Sequence, residues 1–269
     1  MLPLPIRSLP QTTARRLQAF QREIDEIFDY AQRVSIAAAK FKSRNTDRNA
    51  TFRVVRETLT EMCFGAQRCC YCEDSAATQI DHHRPKSLYP DLVFVWENYV
   101  YACSGCNMPK QDRYAIFAQQ TGDLLSVARS TKAPVVPPET GEVALIDPRR
   151  ENPLDFMRLD IRDTFRFMPY GLPESRTYQR AKYTIEVLQL NRRDYLPLAR
   201  RQAYNGYVSH LHHYMRLRDQ DVTPLRLQEI VQSIQNEKHP TVWFEMKRQY
   251  QRIPFLQEVF EAIPEALQW

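Results

Sequence analysis

Two Cys-x-x-Cys pairs, Cys69/Cys72 and Cys103/Cys106, constrain this chain more than any other feature of it. Four thiolates so paired can converge tetrahedrally on one zinc ion, and a structural zinc site is the expected outcome. The gap between the pairs is longer than in a simple zinc ribbon, so what lies between them has to be a folded insert. The competing use of Cys-x-x-Cys is redox chemistry. The opening MLPLPIRSLP is broken by prolines where a signal peptide needs a continuous apolar segment, and no apolar run reaches membrane-spanning length. A cytoplasmic protein with no membrane association is expected, and in a reducing compartment its cysteines favour metal over disulfides. Cys63 and Cys70 are left over, Cys70 as a packed thiol inside the zinc turn.

The insert holds the second signal: Asp81-His82-His83-Arg84-Pro85, then Trp96-Glu97-Asn98, then Asn107 directly after the last cysteine and Lys110 three residues on. Read in order, these give His, Asn and a final Asn in the place of a last His, and here the sequence resembles the HNH endonuclease family. The local form is Tyr71-Cys72-Glu73, then Asp81-His82-x-Arg84-Pro85-Lys86-Ser87, then Trp96-x-Asn98 leading to Cys103-x-x-Cys106-Asn107-x-x-Lys110. It is similar to a bacterial subgroup of that family found with retrons and in Septu-type anti-phage systems, where an ABC-type ATPase accompanies the nuclease. Thr184 to Asn191 also looks like a segment that follows the core in that subgroup. The resemblance covers the cysteine-bounded stretch strongly and little else, and the N-terminal helical region departs from it.

That resemblance implies two antiparallel strands and a helix around one divalent cation. The first strand would run from Gln79 to His83, followed by an extended loop from Ser87 to Trp96. The second strand would be Tyr99 to Ala102 and the helix Ser104 to Phe117, with Pro109 in its first turn. Asp81 supplies a hard anionic oxygen and Asn107 a neutral one, a set suited to Mg²⁺ or Mn²⁺ with positions left for water and a phosphate oxygen. His82 is the candidate general base, since imidazole titrates near neutrality. Strand alternation alone would pair Asp81 with His83, which stands as the alternative base, whereas the family pattern selects His82. Asn98 is expected to tie the loop to the backbone and so hold the histidine, and Lys110 and Arg84 to contact phosphate.

Around this core the chain reads as helical. With 6 glycines and 18 prolines, helices punctuated by proline-bounded turns suit it better than an all-β design. Leu17, Phe20, Ile24, Ile27, Ala31, Val34, Ala38 and Phe41 form one apolar stripe, which predicts a single helix of about thirty residues capped by Thr12 or Thr13. Phe52, Val55, Leu59 and Met62 mark a second helix that Gly65 would end. Val143–Ile146 and Thr164–Met168 suggest strands. Thr223-Pro224 suggests the start of a helix, and Pro240, Pro254 and Pro264 divide the tail into short helices. The expected fold is mainly α with a small ββα core stapled by a four-Cys zinc site, an α+β whole. Its parts are a helical region at 1–65, the core at 66–118, an irregular or β connector at 119–171 and a helical region at 172–269.

A net charge of +5 is compatible with a polyanionic partner, and Arg176, Arg180, Lys182, Arg192, Arg193, Arg200 and Arg201 would make a basic surface on the C-terminal region. His210 and His213 share a helix face but have no carboxylate or cysteine at ligand spacing, so they read as ordinary histidines. The leading expectation is a metal-dependent endonuclease acting on double-stranded DNA in defence against phage. A nuclease of the same mechanism acting on transfer RNA, and a zinc-dependent binding or assembly subunit without catalysis, are the alternatives.

Overall fold

In the computed structural model, which describes residues 1–130, 132–220 and 222–269, the N-terminal apolar stripe is divided between two helices. These are α1 (Gln11–Asp25) and α2 (Tyr30–Arg44), and the single long helix expected from periodicity is not formed. The break has a local cause. Asp29 caps α2, its carboxylate accepting from the Gln32 amide at 2.7 Å, and the Arg33 guanidinium folds back onto the Ile27 carbonyl. Leu17, Phe20 and Ile24 of the stripe are buried, but Ala31 and Ala38 are exposed, and α2 buries only Ala37 and Phe41. Pro10, not Thr12 or Thr13, occupies the cap position of α1.

The third helix, α3 (Ala50–Glu61), is capped by Asn49, whose side chain accepts from the Thr51 and Phe52 amides. It buries Phe52, Val55 and Leu59, with Met62 buried at its C-cap, as their spacing predicts. Gly65 lies past that cap and takes a positive φ of 60° in the turn beyond it.

Strands β1 (Gln79–His82) and β2 (Tyr99–Ala102) pair antiparallel, placing Asp81 opposite Val100 and His82 opposite Tyr99. A short helix, α4 (Ser104–Lys110), follows directly. It stops well before Phe117. Pro109 sits near its end instead of in its first turn and has no N–H to offer the Gly105 carbonyl, and Gln111 then leaves helical space with φ 37°.

The residues expected to extend this helix instead form β3 (Ala115–Ala118), the centre of a sheet with β4 (Leu124–Ser126) and β5 (Gly141–Val143). A separate hairpin joins β6 (Met157–Leu159) to β7 (Phe167–Pro169). The strand expected at Val143–Ile146 thus lies a little earlier, and that at Thr164–Met168 a little later. Helices α5 (Arg176–Val187), α6 (Tyr195–Arg218), α7 (Pro224–Gln235), α8 (Pro240–Gln249) and α9 (Pro254–Ala262) complete the chain, with a 3-10 turn at Pro264–Gln268. Proline stands at the first helical position of α7, α8 and α9, where its missing N–H costs nothing.

The architecture is mixed α+β, with helices beside small antiparallel sheets. One continuous cluster of buried side chains runs from Met1 to Ala266 and includes all four paired cysteines. Where α1 to α3 meet the β1–β2 pair it is aromatic: Phe41 touches Phe52 and Phe94, and Phe20 touches Phe94 edge-on. No helix among the described residues is long and apolar enough to cross a membrane.

Candidate active site and metal centre

Cys69, Cys72, Cys103 and Cys106 converge, all four buried, with their sulfurs within 4.8 Å of one another. The Cys72 and Cys103 sulfurs are 3.7 Å apart, too far for a disulfide. The edge of a tetrahedron with Zn–S bonds of about 2.3 Å is close to 3.8 Å, so the donor set fits a structural metal such as zinc. The two remaining cysteines stand apart from it chemically. Burial pushes the Cys63 thiol up to about 12, and burial together with the neighbouring Cys69 raises that of Cys70.

An arginine from the C-terminal region completes the surroundings. Arg193 donates through Nη2 to the Cys106 sulfur at 3.1 Å and also to the Leu188 and Gln189 carbonyls. Gly105 leaves room for that approach, since a β-carbon there would stand 2.7 Å from Arg193 Nη1 and displace the guanidinium. Arg200 is wholly buried and donates to the Phe165 and Leu190 carbonyls, while Arg180 is held by both carboxylate oxygens of Glu151. Arg180 and Arg200 therefore leave the basic surface expected of them for the interior, and the half-buried Arg193 is spent on fastening the cysteine cluster.

On the other side of the same segment, Asp81, His82 and Asn107 line one cavity of about 320 Å³ together with Lys86. His82 is at the end of β1, its ring packed edge-on against Phe41 at 4.5 Å and Tyr99 at 5.2 Å. Its Nε2 lies 2.9 Å from the Val93 carbonyl oxygen, which also accepts from the Tyr99 hydroxyl. A carbonyl can only accept, so Nε2 carries the proton and Nδ1 the lone pair. Nδ1 has no partner among the described residues and is not sealed from solvent. Burial, reinforced by the Lys86 charge, lowers the His82 pKa to about 3, which keeps the ring neutral.

The Asp81 carboxylate accepts from Lys110 Nζ at 2.9 Å on one oxygen and from the Tyr71 hydroxyl at 2.7 Å on the other. Asn107 donates its amide to Gln79 Oε1, leaving its own oxygen unengaged among the described residues. Asn98 bridges the loop between the strands: its amide donates to the Arg84 and Leu92 carbonyls and its oxygen accepts from the Arg84 amide.

Neither of the two expected phosphate contacts is placed for that task. Lys110 is fully buried, its ammonium held by Asp81 and the His82 carbonyl, because α4 packs its last turn against β1. Arg84 and His83, the alternative base, line a different cavity of about 490 Å³, since they follow the end of β1 and turn away from Asp81. There His83 lies 3.9 Å from Asp147, with its Nε2 buried and unpartnered. The cationic side chain that does line the Asp81 cavity is Lys86, legible in the sequence as the lysine after Arg84-Pro85. Val93 and Phe41, which orient and cover His82, had no sequence signal: one acts through its backbone and the other comes from α2.

His210 meets Glu237 at 3.7 Å, and among the described residues the four cysteines are the one group of three or more metal donors. Comparison of the chain with protein-family models, with curated proteins and with solved structures gave no match.

Proposed function

We propose that this chain is a metal-dependent endonuclease of the HNH type, hydrolysing phosphodiester bonds in double-stranded DNA as an effector of defence against phage. One observation carries the reading: a neutral histidine, His82, fixed by Val93 with its lone pair free, shares a cavity with a carboxylate and an amide oxygen. The motif order from Asp81 to Lys110 adds to it.

Within this reading His82 Nδ1 takes a proton from the attacking water, and the water oxygen forms the new bond to phosphorus as the bond to the 3′ oxygen breaks. The products are a 5′-phosphate and a 3′-hydroxyl. Asp81 and Asn107 would hold Mg²⁺ or Mn²⁺. Each Asp81 oxygen keeps a lone pair beyond its single hydrogen bond and the Asn107 oxygen is unengaged, so hard donors for a divalent cation are present. When bound, such a cation stabilises negative charge on the phosphoryl and leaving oxygens. Asn98 pins the loop that carries Val93, and Lys86 takes the phosphate contact that Lys110 and Arg84 are not placed to make. The four cysteines hold zinc and fix the ends of the unit.

The test is cleavage of supercoiled plasmid and of transfer RNA by purified protein with Mg²⁺ or Mn²⁺, beside His82→Ala. Loss of a general base costs on the order of 10² to 10⁴ in rate. The mutant is expected to lose cutting to that extent while binding nucleic acid as before. Equal cutting by the mutant would overturn the reading, and cutting confined to RNA would replace the substrate.

A further inference from the structure

We propose that a second cleft, remote in sequence from the cysteines and lined by Arg162, Arg201 and Arg252, grips the phosphate backbone of nucleic acid. The ligand rests on the nuclease reading above; the cleft does not. It lies between the loop before β7, the start of α6 and the turn between α8 and α9, and has a volume of about 700 Å³. It shares no residue with the cavity of His82.

Three features mark it as a place for an anion. Three arginines face it against one aspartate, Asp163, and among the described residues none of the three guanidinium groups is ion-paired with a carboxylate. Two of them are held by main-chain oxygens instead: Arg201 donates to the Asp163 carbonyl at 2.7 Å and Arg162 to the Arg252 carbonyl. Such bonds fix a guanidinium in place without neutralising it, leaving its remaining N–H groups for an incoming acceptor.

The backbone beneath is held in an unusual state. Phe165 has φ 53°, a left-handed conformation that an aromatic residue rarely adopts. Its ring is buried under Arg201 at 5.3 Å, and its carbonyl accepts from Arg200 at 3.0 Å, so the packing and a buried arginine together impose the strained turn. The turn sets Arg162 and Arg201 on one opening, beside Tyr204 and Asn205 as further donors. Arginine forks matched to phosphate oxygens, on exposed side chains in an open cleft, suit a polymer that runs across the surface.

The experiment uses full-length protein carrying His82→Ala, so that the probe survives, and measures binding of a fluorescent DNA duplex across a salt series. A second protein adds Arg162→Gln, Arg201→Gln and Arg252→Gln. With about 0.9 counterions released per phosphate contact, removal of three contacts should make the slope of log K against log salt shallower by about 2.7, with weaker binding at low salt. The triple Arg→Lys version should recover most of the slope. Unchanged melting temperature in both triples separates this effect from misfolding.

Equal slope and affinity in the glutamine triple would overturn the cleft while leaving the nuclease reading intact. Loss of slope in the glutamine triple, with wild-type protein that cuts neither plasmid nor transfer RNA, would support the cleft and remove the nuclease. A parent that binds no duplex, or one that binds inorganic phosphate or ATP more tightly than duplex through the same arginines, would overturn the assignment of the ligand.

Discussion

The four cysteines and the Asp81–His82–Asn107 cavity lie within one short segment, yet they depend on the rest of the chain to very different degrees. All four sulfurs come from that segment, and Arg193 is an addition to a set already complete. The cavity is assembled from afar. Phe41 of α2 covers the His82 ring, and Gln21 of α1 donates to the Pro90 carbonyl and accepts from the Phe94 amide. Gln21 thereby fixes the loop whose Val93 carbonyl orients His82. A metal clamp can be specified by neighbours in sequence, whereas the aim of one imidazole here is set by helices that precede the clamp.

The sharpest way to break that contrast is to remove the clamp. Cys103→Ser with Cys106→Ser should abolish the fold, because structural zinc contributes on the order of 10 kcal/mol in small metal-dependent domains. Soluble protein with native circular dichroism and no bound zinc would sink the structural role. Phe41→Ala attacks the other side. Deleting a buried phenyl ring costs about 3 to 5 kcal/mol. Urea unfolding should show that loss, and because α2 supplies no cysteine, zinc content of the remaining folded protein should match the parent. If zinc were lost in proportion, the two ends would be coupled and the contrast false.

The smallest effect is one of pH. His82 titrates at an ordinary 6.5 when unfolded and at about 3 when folded, so between those values the unfolded chain binds more protons. The stability contributed by the neutral ring is complete above 6.5 and declines as pH falls toward 3, by about 1.4 kcal/mol per pH unit. Urea midpoints between pH 7 and pH 5 should fall for the parent and fall less for His82→Gln, which has no imidazole to protonate. Parallel lines would show that His82 is not the group responsible.

What was legible in the sequence follows the same division. Each Cys-x-x-Cys pair, the strand at Tyr99–Ala102 and the proline-started helices are encoded by residues a few positions apart, where spacing and local bonding decide. The helix over 12–41 was misread because an apolar period continues smoothly through Asp29, and a cap competes with it only once Gln32 and Arg33 have bonded back. Lys110, Arg180, Arg193 and Arg200 carry charges that composition assigns to the surface. Lys110, Arg180 and Arg200 are buried and Arg193 half-buried, because a carboxylate, a carbonyl or a sulfur distant in sequence accepts from each. The candidate base and the candidate ligands Asp81 and Asn107 could be named from motif order, but Val93, Gln21 and Phe41, which aim and enclose that histidine, could not.

The contact between Arg193 and Cys106 spans 87 positions, and this bears on the order of events during synthesis. Chains emerge and fold from the N-terminus. The last thiol is out of the ribosome before Arg193 exists, so the four cysteines can come together while α5 and α6 are still unmade. The arginine then arrives at a finished target and fastens the later half of the protein to the earlier one. If zinc occupies the four sulfurs, a shortage of it would be felt twice, first as an open cysteine knot and then as a C-terminal half short of one of its fastenings, the Thr241–Glu73 bonds being another.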